Sequence, residues 1–293
     1  QNTTSAIECI GSTCDITKSY EFTRELDTQE QIVQSQEAID TAIFRAVYEH
    51  SYKTNPEQIE FNKTDLMYLD IGRETSKFYS RHTYIRDSIA KHELSKEVSA
   101  FEVNNKIKGL PRGTSSVIYY LDREGNRREY TGLSLMFIFY DEIAVMPKWK
   151  IENSTKVIDG VKCHKATTSY LGREWIVYYS PEIPIHYGPW KLWGLPGLIL
   201  EATDSNSYFS YKLTGFERLN QRVPIELMDN SYISTKYEQK NKDTFQRIQK
   251  LYYTANDQFM ELFLDAKLIS ATNEDGTKLN KSRPIPHIPL EPW

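Results

Sequence analysis

The side chains best suited to metal binding, proton transfer or redox chemistry are few: His50, His82, His92, His164, His186 and His287, with Cys9, Cys14 and Cys163. No two histidines have the i, i+4 spacing that would set both on one helix face as metal ligands. Cys163 and His164 are neighbours, so on a strand they point to opposite faces. His186 lies four residues after Glu182, and the pair could hold a metal or move a proton; an exposed or locally bonded histidine is the plainer reading. There is no Gly-x-Ser-x-Gly elbow, phosphate-cradling glycine loop, His-Glu-x-x-His or Cys-x-x-Cys. No catalytic residue, metal site or cofactor is therefore predicted. The carboxylates Glu124, Glu129, Asp141 and Glu142 fall near turns and read as solvated surface, and Arg173 with Glu174 reads as a cross-strand ion pair. Cys9 and Cys14 flank Gly11 and are candidates for a disulfide in an oxidising compartment; pairing of one of them with Cys163 is the alternative. Cys163 otherwise reads as a small buried hydrophobe.

Binding chemistry is better represented, in the stretch from Tyr179 to Glu201. Pro181, Pro184, Pro189 and Pro196 preset φ and remove donors, while Gly188, Gly194 and Gly197 allow turns that a side chain would block. A stiff loop should thus present Trp190, Trp193, Leu195 and Leu198, with His186 at its rim. Two readings stand. Rigid apolar groups lose little entropy when a partner docks, which suits a binding element. Large aromatics also pack, so the loop could instead plug one end of a sheet. Because Pro196 restricts Leu195 to extended angles, Gly194 or Gly197 is expected to carry backbone angles that L-residues avoid. Leu198 and Leu200 should then alternate with Ile199 and Glu201 in a strand, with Trp193 packed beneath the loop and Trp190 or His186 nearer solvent at its rim.

The elements that must position this loop show period-two alternation. Ala42, Phe44, Ala46 and Tyr48 share one side of a strand beginning at Thr41, and further strands are predicted at 66–71 and 76–80. Hairpins follow over 117–140, 155–170, 175–179, 198–203 and 208–216. Asp159-Gly160 suits the positive φ angles of a type I′ turn. Sequential strands with short turns predict an antiparallel meander. Helices are predicted at 28–40, 82–97 and about 236–266, another hairpin tip at Asp275-Gly276, a polar arm over 1–27, and an extended surface tail over Pro284–Trp293 with four prolines. Residues 28–283 read as one α+β domain.

The sequence has 293 residues and 36 Lys and Arg against 40 Asp and Glu, a net charge of −4. That balance predicts no nucleic-acid partner, which would require a basic face. Twenty Tyr beside 12 Phe and 5 Trp favour pleated sheet. The most apolar run, Leu133 to Tyr140, falls far short of the roughly 20 residues of a bilayer helix, so no transmembrane segment is predicted. The start at Gln1-Asn2-Thr3 is read as that of a mature exported protein whose signal peptide has been removed.

Gly194-Leu195-Pro196-Gly197-Leu198-Ile199 spells GLPGLI, and on it the chain resembles the GLPGLI family of exported proteins of Gram-negative bacteria. Other matching pieces are Leu69-Asp70-Ile71-Gly72 followed by Ser76-Lys77-Phe78-Tyr79-Ser80, Trp149-Lys150-Ile151, Ile158 to Ala166, Gly172-Arg173 and Tyr179 to Pro184. The resemblance covers about residues 41–220. It implies periplasmic or outer-membrane-associated localisation, no established catalytic activity, and an association with TonB-dependent outer-membrane receptors. The run of strand, loop, Leu-Pro-Gly-Leu and strand also resembles lipoprotein-carrier proteins. That implies an open half-barrel: a curved antiparallel sheet with helical additions. Asp40-Thr41-Ala42 and Asp87-Ser88-Ile89 resemble an O-glycosylation signal of such bacteria, which would leave Thr41 and Ser88 exposed. The expected function is non-enzymatic binding of an apolar or peptide-like ligand, or of an envelope protein partner such as an outer-membrane receptor. The alternatives are a structural accessory subunit of an outer-membrane complex, or a hydrolase or metalloenzyme whose site is not readable from sequence.

Overall fold

The structure, a computed structural model, describes residues 5–10, 13–14, 38–96, 98–115, 117–227, 237–272, 278–279 and 284–293. The architecture is two antiparallel meanders fused through their longest strands. The first comprises β3 (Ala38–Tyr52), β4 (Lys63–Ile71), β5 (Thr75–Ser80), β6 (Ile118–Asp122), β7 (Asn126–Leu133) and β8 (Met136–Ile143). The second comprises β9 (Lys150–Ile158), β10 (Val161–Tyr170), β11 (Arg173–Ser180), β12 (Leu198–Asp204) and β13 (Phe209–Glu226). β3 pairs antiparallel with β13, so the first strand of one meander joins the last of the other. A short β14 (Glu238–Gln239) adds in parallel to β8, giving one 12-stranded sheet with β14 and β9 as its edges. Those edges do not pair, and the sheet is not closed into a barrel.

The sheet is nonetheless strongly curled. β7 and β10 stand eight strand positions apart in its order. On a flat sheet that separation is about 38 Å. Yet Arg127 on β7 donates to the Tyr170 hydroxyl on β10 at 3.1 Å. The two walls therefore face each other across an inner surface. There the main core collects: Ala46, Tyr48, Met67, Leu69, Phe78, Trp175, Val177, Ala202 and Tyr211 are all buried. The period-two pattern explains the placement, since on β3 and β4 alternate residues turn inward.

α1 (Arg81–Leu94) and α2 (Ala100–Lys108) connect β5 to β6. α2 opens with a Ser99/Glu102 capping box, a signal present in the sequence and not used in reading it. α3 (Lys242–Thr254) and α4 (Asn256–Leu264) bring Phe245, Ile248, Phe259 and Met260 onto Leu133, Ile138 and Tyr140 at the β7–β8 end. None of these helices is long and apolar enough to cross a membrane.

Several expectations change. β3 begins at Ala38, so the end of the expected 28–40 helix is strand; 28–37 lie outside the described residues. The region read as an arm contributes β1 (Ser5–Ile10) and β2 (Thr13–Cys14) to a separate sheet with β15 (Ala266–Thr272) and β16 (Lys278–Leu279). Cys9 stands opposite Cys14 in that backbone register, and their side chains lie outside the described residues. Asp275-Gly276 also lies outside them. Asp159 and Gly160 take φ of 47° and 82°, the turn expected of Asp-Gly. Thr41 is half-buried, not exposed, because it lies within β3; Ser88 is exposed.

Candidate functional site

The loop 181–197, between β11 and β12, crosses the gap between the two walls. Three backbone bonds shape it: Leu192 N–H to Pro189 C=O, Gly194 N–H to His186 C=O and Leu198 N–H to Ile183 C=O, at 3.1, 2.8 and 2.9 Å. Gly194 takes φ 90°, as expected for a turn next to Pro196-restricted backbone. Gly197 is required for a different reason: a Cβ there would lie 2.0 Å from the Ser180 carbonyl oxygen. Leu198, Ile199 and Leu200 are all buried, so the expected alternation fails: the strand is covered on both faces here.

Trp193 is less deeply packed than expected, and of the two residues expected at the rim it is His186, not Trp190, that is exposed. Trp190, at φ 56°, turns its indole inward against Trp175 (5.3 Å between rings) and Tyr170 (6.3 Å), and is 4 % exposed. Trp193 is half-buried and lies over Gly125, with its carbonyl accepting from Trp149 Nε1 at 2.8 Å. Leu195 and Leu198 are buried core residues, and His186 is exposed with Nδ1 2.8 Å from the Leu195 carbonyl. The loop is thus a plug along most of its length. Glu182 is exposed, and among the described residues no group of three His, Cys, Asp or Glu is arranged to hold a metal. Cys163 is buried and unbridged, and burial raises its thiol to about 11.

What the loop inserts is Lys191. Its side chain is 1 % exposed, and Nζ meets Glu129 of β7 at 2.5 Å, Glu291 of the C-terminal segment, and the Tyr140 hydroxyl of β8 at 3.1 Å. The Tyr119, Tyr140 and Trp190 rings surround the ammonium at 5.3, 5.7 and 5.9 Å. Arg127 of β7 pairs with Glu142 of β8, and Lys242 of α3 reaches Glu142 at 2.9 Å and Glu291 at 3.4 Å. Arg127, Lys191 and Lys242 thereby face Glu129, Glu142 and Glu291 in one cluster. Burial raises the pKa of Glu129 against the pull of Lys191. Burial also opposes ionisation of Glu142 and Glu291, but the neighbouring cations outweigh it; Glu142 falls to about 2 and Glu291 below its ordinary value.

The segment 284–293 has no regular secondary structure and bends at Leu290 and Glu291, and it packs against the inner face instead of along the outer surface. Arg173 Nε donates to the Leu290 carbonyl at 2.8 Å, and its guanidinium also holds the Pro289 carbonyl and Asp204. Ile285 N–H donates to the Tyr253 carbonyl at 2.8 Å, His287 stacks on Tyr253 at 3.7 Å, and Ile288 is buried. Between this strap and the sheet remains a cavity of about 80 Å³, lined by Tyr119, Tyr140, Trp190, Phe245, Glu129 and strap residues. That is small against the ~300 Å³ or more of a typical ligand site.

One sequence reading is corrected here. Glu129 and Glu142 are not solvated surface, because inward alternation on β7 and its neighbour β8 draws them to buried cations. Arg173 makes the cross-strand ion pair expected of it, with Asp204 of the neighbouring β12, and also holds the strap. Lys191, Arg127, Lys242 and Glu291 were not singled out; they lie up to 100 residues from their partners along the chain.

No family model matches the chain, and no curated protein matches it. Among solved structures, two crystal forms of PNGF-II are similar to it, with TM-scores of 0.45 and 0.44 and 14 % and 13 % identity. Each match covers 71 % of this chain, which spans about a third (32 %) of the length of that protein.

Proposed function

We propose that this is an exported, non-catalytic binding protein of the GLPGLI type whose inner sheet face accepts an extended apolar or peptide-like ligand. The observation that carries the reading is the strap itself. A proline-rich segment without regular secondary structure already lies on that face, with carbonyls held by Arg173, one apolar side chain buried and one carboxylate seated on Lys191. Such a surface recognises backbone, apolar and charged features together, which is how extended peptides are bound. The aromatic lining of Tyr119, Tyr140, Trp190 and Phe245 supplies apolar area at low entropy cost. The half-barrel likeness to lipoprotein carriers, localisation at the periplasm or outer membrane, and a receptor as partner belong to the same proposal.

The test is equilibrium binding of the purified full chain to labelled extended peptides and single-chain fatty acids. Saturable binding of at least one class, competed away by a synthetic peptide of residues 284–293, is the expected result. Absence of saturable binding across the panel overturns the reading.

A further inference from the structure

The charge cluster is divided unequally between the body and the strap. Sheet, loop and α3 contribute three cations, Arg127, Lys191 and Lys242, but two carboxylates, Glu129 and Glu142. Without the strap the body therefore carries one more cation than carboxylate, with Lys191 buried and Lys242 part-exposed, and Glu291 of the strap supplies the compensating negative charge beside both. An uncompensated buried charge is costly, so the site requires an anion.

We infer that Lys191 and Lys242 form a carboxylate seat for an acidic, extended peptide ligand, in which Glu291 is the resident occupant that such a ligand replaces. This rests on the binding reading above and specifies its ligand class. The geometry around Glu291 defines the features an incoming peptide needs. Arg173 reads the carbonyls of Pro289 and Leu290, so the two residues before the carboxylate must present free carbonyls on one side. The Leu290 side chain packs against the main core, and Trp293 lines the cavity, so apolar groups belong on both sides of the carboxylate. Proline at 289 and 292 lowers the entropy lost on docking and is compatible with contacts made through carbonyls, since proline has no N–H to satisfy. Glu291 is 15 % exposed at the side chain whereas Lys191 is 1 % exposed, so the anion leaves toward solvent while its partner stays fixed in the body.

The test uses the full chain, as wild type and as Glu291→Gln, with two labelled probes. These are acetyl-Pro-Leu-Glu-Pro-Trp-amide and its Gln counterpart, whose blocked ends leave Glu the single carboxylate. The Glu291→Gln chain is expected to bind the Glu probe at least tenfold more tightly than the Gln probe, and at least tenfold more tightly than wild type does. Lys242→Gln added to Glu291→Gln should weaken the Glu probe alone. Equal affinity for the two probes overturns the carboxylate seat and leaves the peptide-binding reading standing; binding of neither removes both. Should Glu291→Gln lose the native fold, wild type at high probe concentration decides. There the Glu probe is expected to speed hydrogen exchange at the Ile285 amide and the Gln probe is not; equal exchange with both overturns the inference.

Discussion

The loop 181–197 and the strap 284–293 each contain four prolines, yet they are held against the inner face by different physics. The loop is secured by shape. Trp190, Leu192 and Leu195 are buried, and Gly197 lies against the Ser180 carbonyl too closely to admit a side chain. The strap is secured by charge and by single hydrogen bonds: Glu291 to Lys191, two carbonyls to Arg173, one N–H to Tyr253, with Ile288 its one buried hydrophobe. Close packing is lost all at once, whereas an ion pair can be exchanged for an equivalent one. The contrast separates a permanent part of the fold from a replaceable one, and each experiment below acts on one side of it.

The largest effect is expected at Trp190. Truncation to Ala empties the space between Trp175 and Tyr170 and should cost about 3–5 kcal/mol, read as a fall in the denaturation midpoint. A loss under about 1 kcal/mol would show the loop to be as replaceable as the strap. Trp193→Ala should cost less, since that indole is half-buried.

Gly197→Ala comes next. The added methyl meets backbone, not a flexible side chain, and should cost about 1–3 kcal/mol or more. Gly160→Ala is the control: nothing lies within 4 Å of its Cβ position, so the cost there is that of φ 82° alone, about 1–2 kcal/mol. Similar costs at both sites would mean that close approach of the backbone is not what fixes the loop.

Much of the loop was legible in the sequence and little of the strap's role was. Pro196 announces its effect on Leu195 locally, and Asp159-Gly160 announces its turn, because both act within two or three residues. Strand alternation from Ala42 to Tyr48 reads the same way. The inward turn of Trp190 is set by a positive φ at a non-glycine residue, which tertiary packing imposes and no local signal announces. The cluster around Lys191 is less legible still. On β7, Arg127 and Glu129 alternate inward while Arg128 pairs outward with Asp141, so polar residues occupy both faces and the period-two signal vanishes. Glu291 meets Lys191 across 100 residues, a distance over which spacing carries no information.

The effect most confined in space is a pH-dependent loosening of the strap. His287 is stacked on Tyr253 and near Trp293, and burial lowers its pKa from 6.5 to about 4. The docked strap refuses a proton that the released strap accepts. Docking is thus at full strength above about pH 6.5 and weakens as pH falls toward 4. One proton limits the change to less than tenfold per pH unit. Glu291, held below its ordinary pKa by Lys191 and Lys242 against its burial, has the same sign in a lower window: its contribution is complete above about pH 4.5 and is lost on further acidification. His50 imposes a separate, global loss over the same range. It is stacked 4.3 Å from Tyr211, both ring nitrogens lack partners among the described residues, and burial lowers it to about 3. The readout must therefore be local, such as cleavage within 284–293 by a protease active from pH 7.5 to 4. Cleavage should accelerate below pH 6.5 in wild type, and in His287→Phe, which keeps the stack without the proton, the onset should move to about pH 4.5. An identical onset in both chains would place the pH sensitivity in the body shared with the loop, and the distinction between plug and strap would then rest on packing alone.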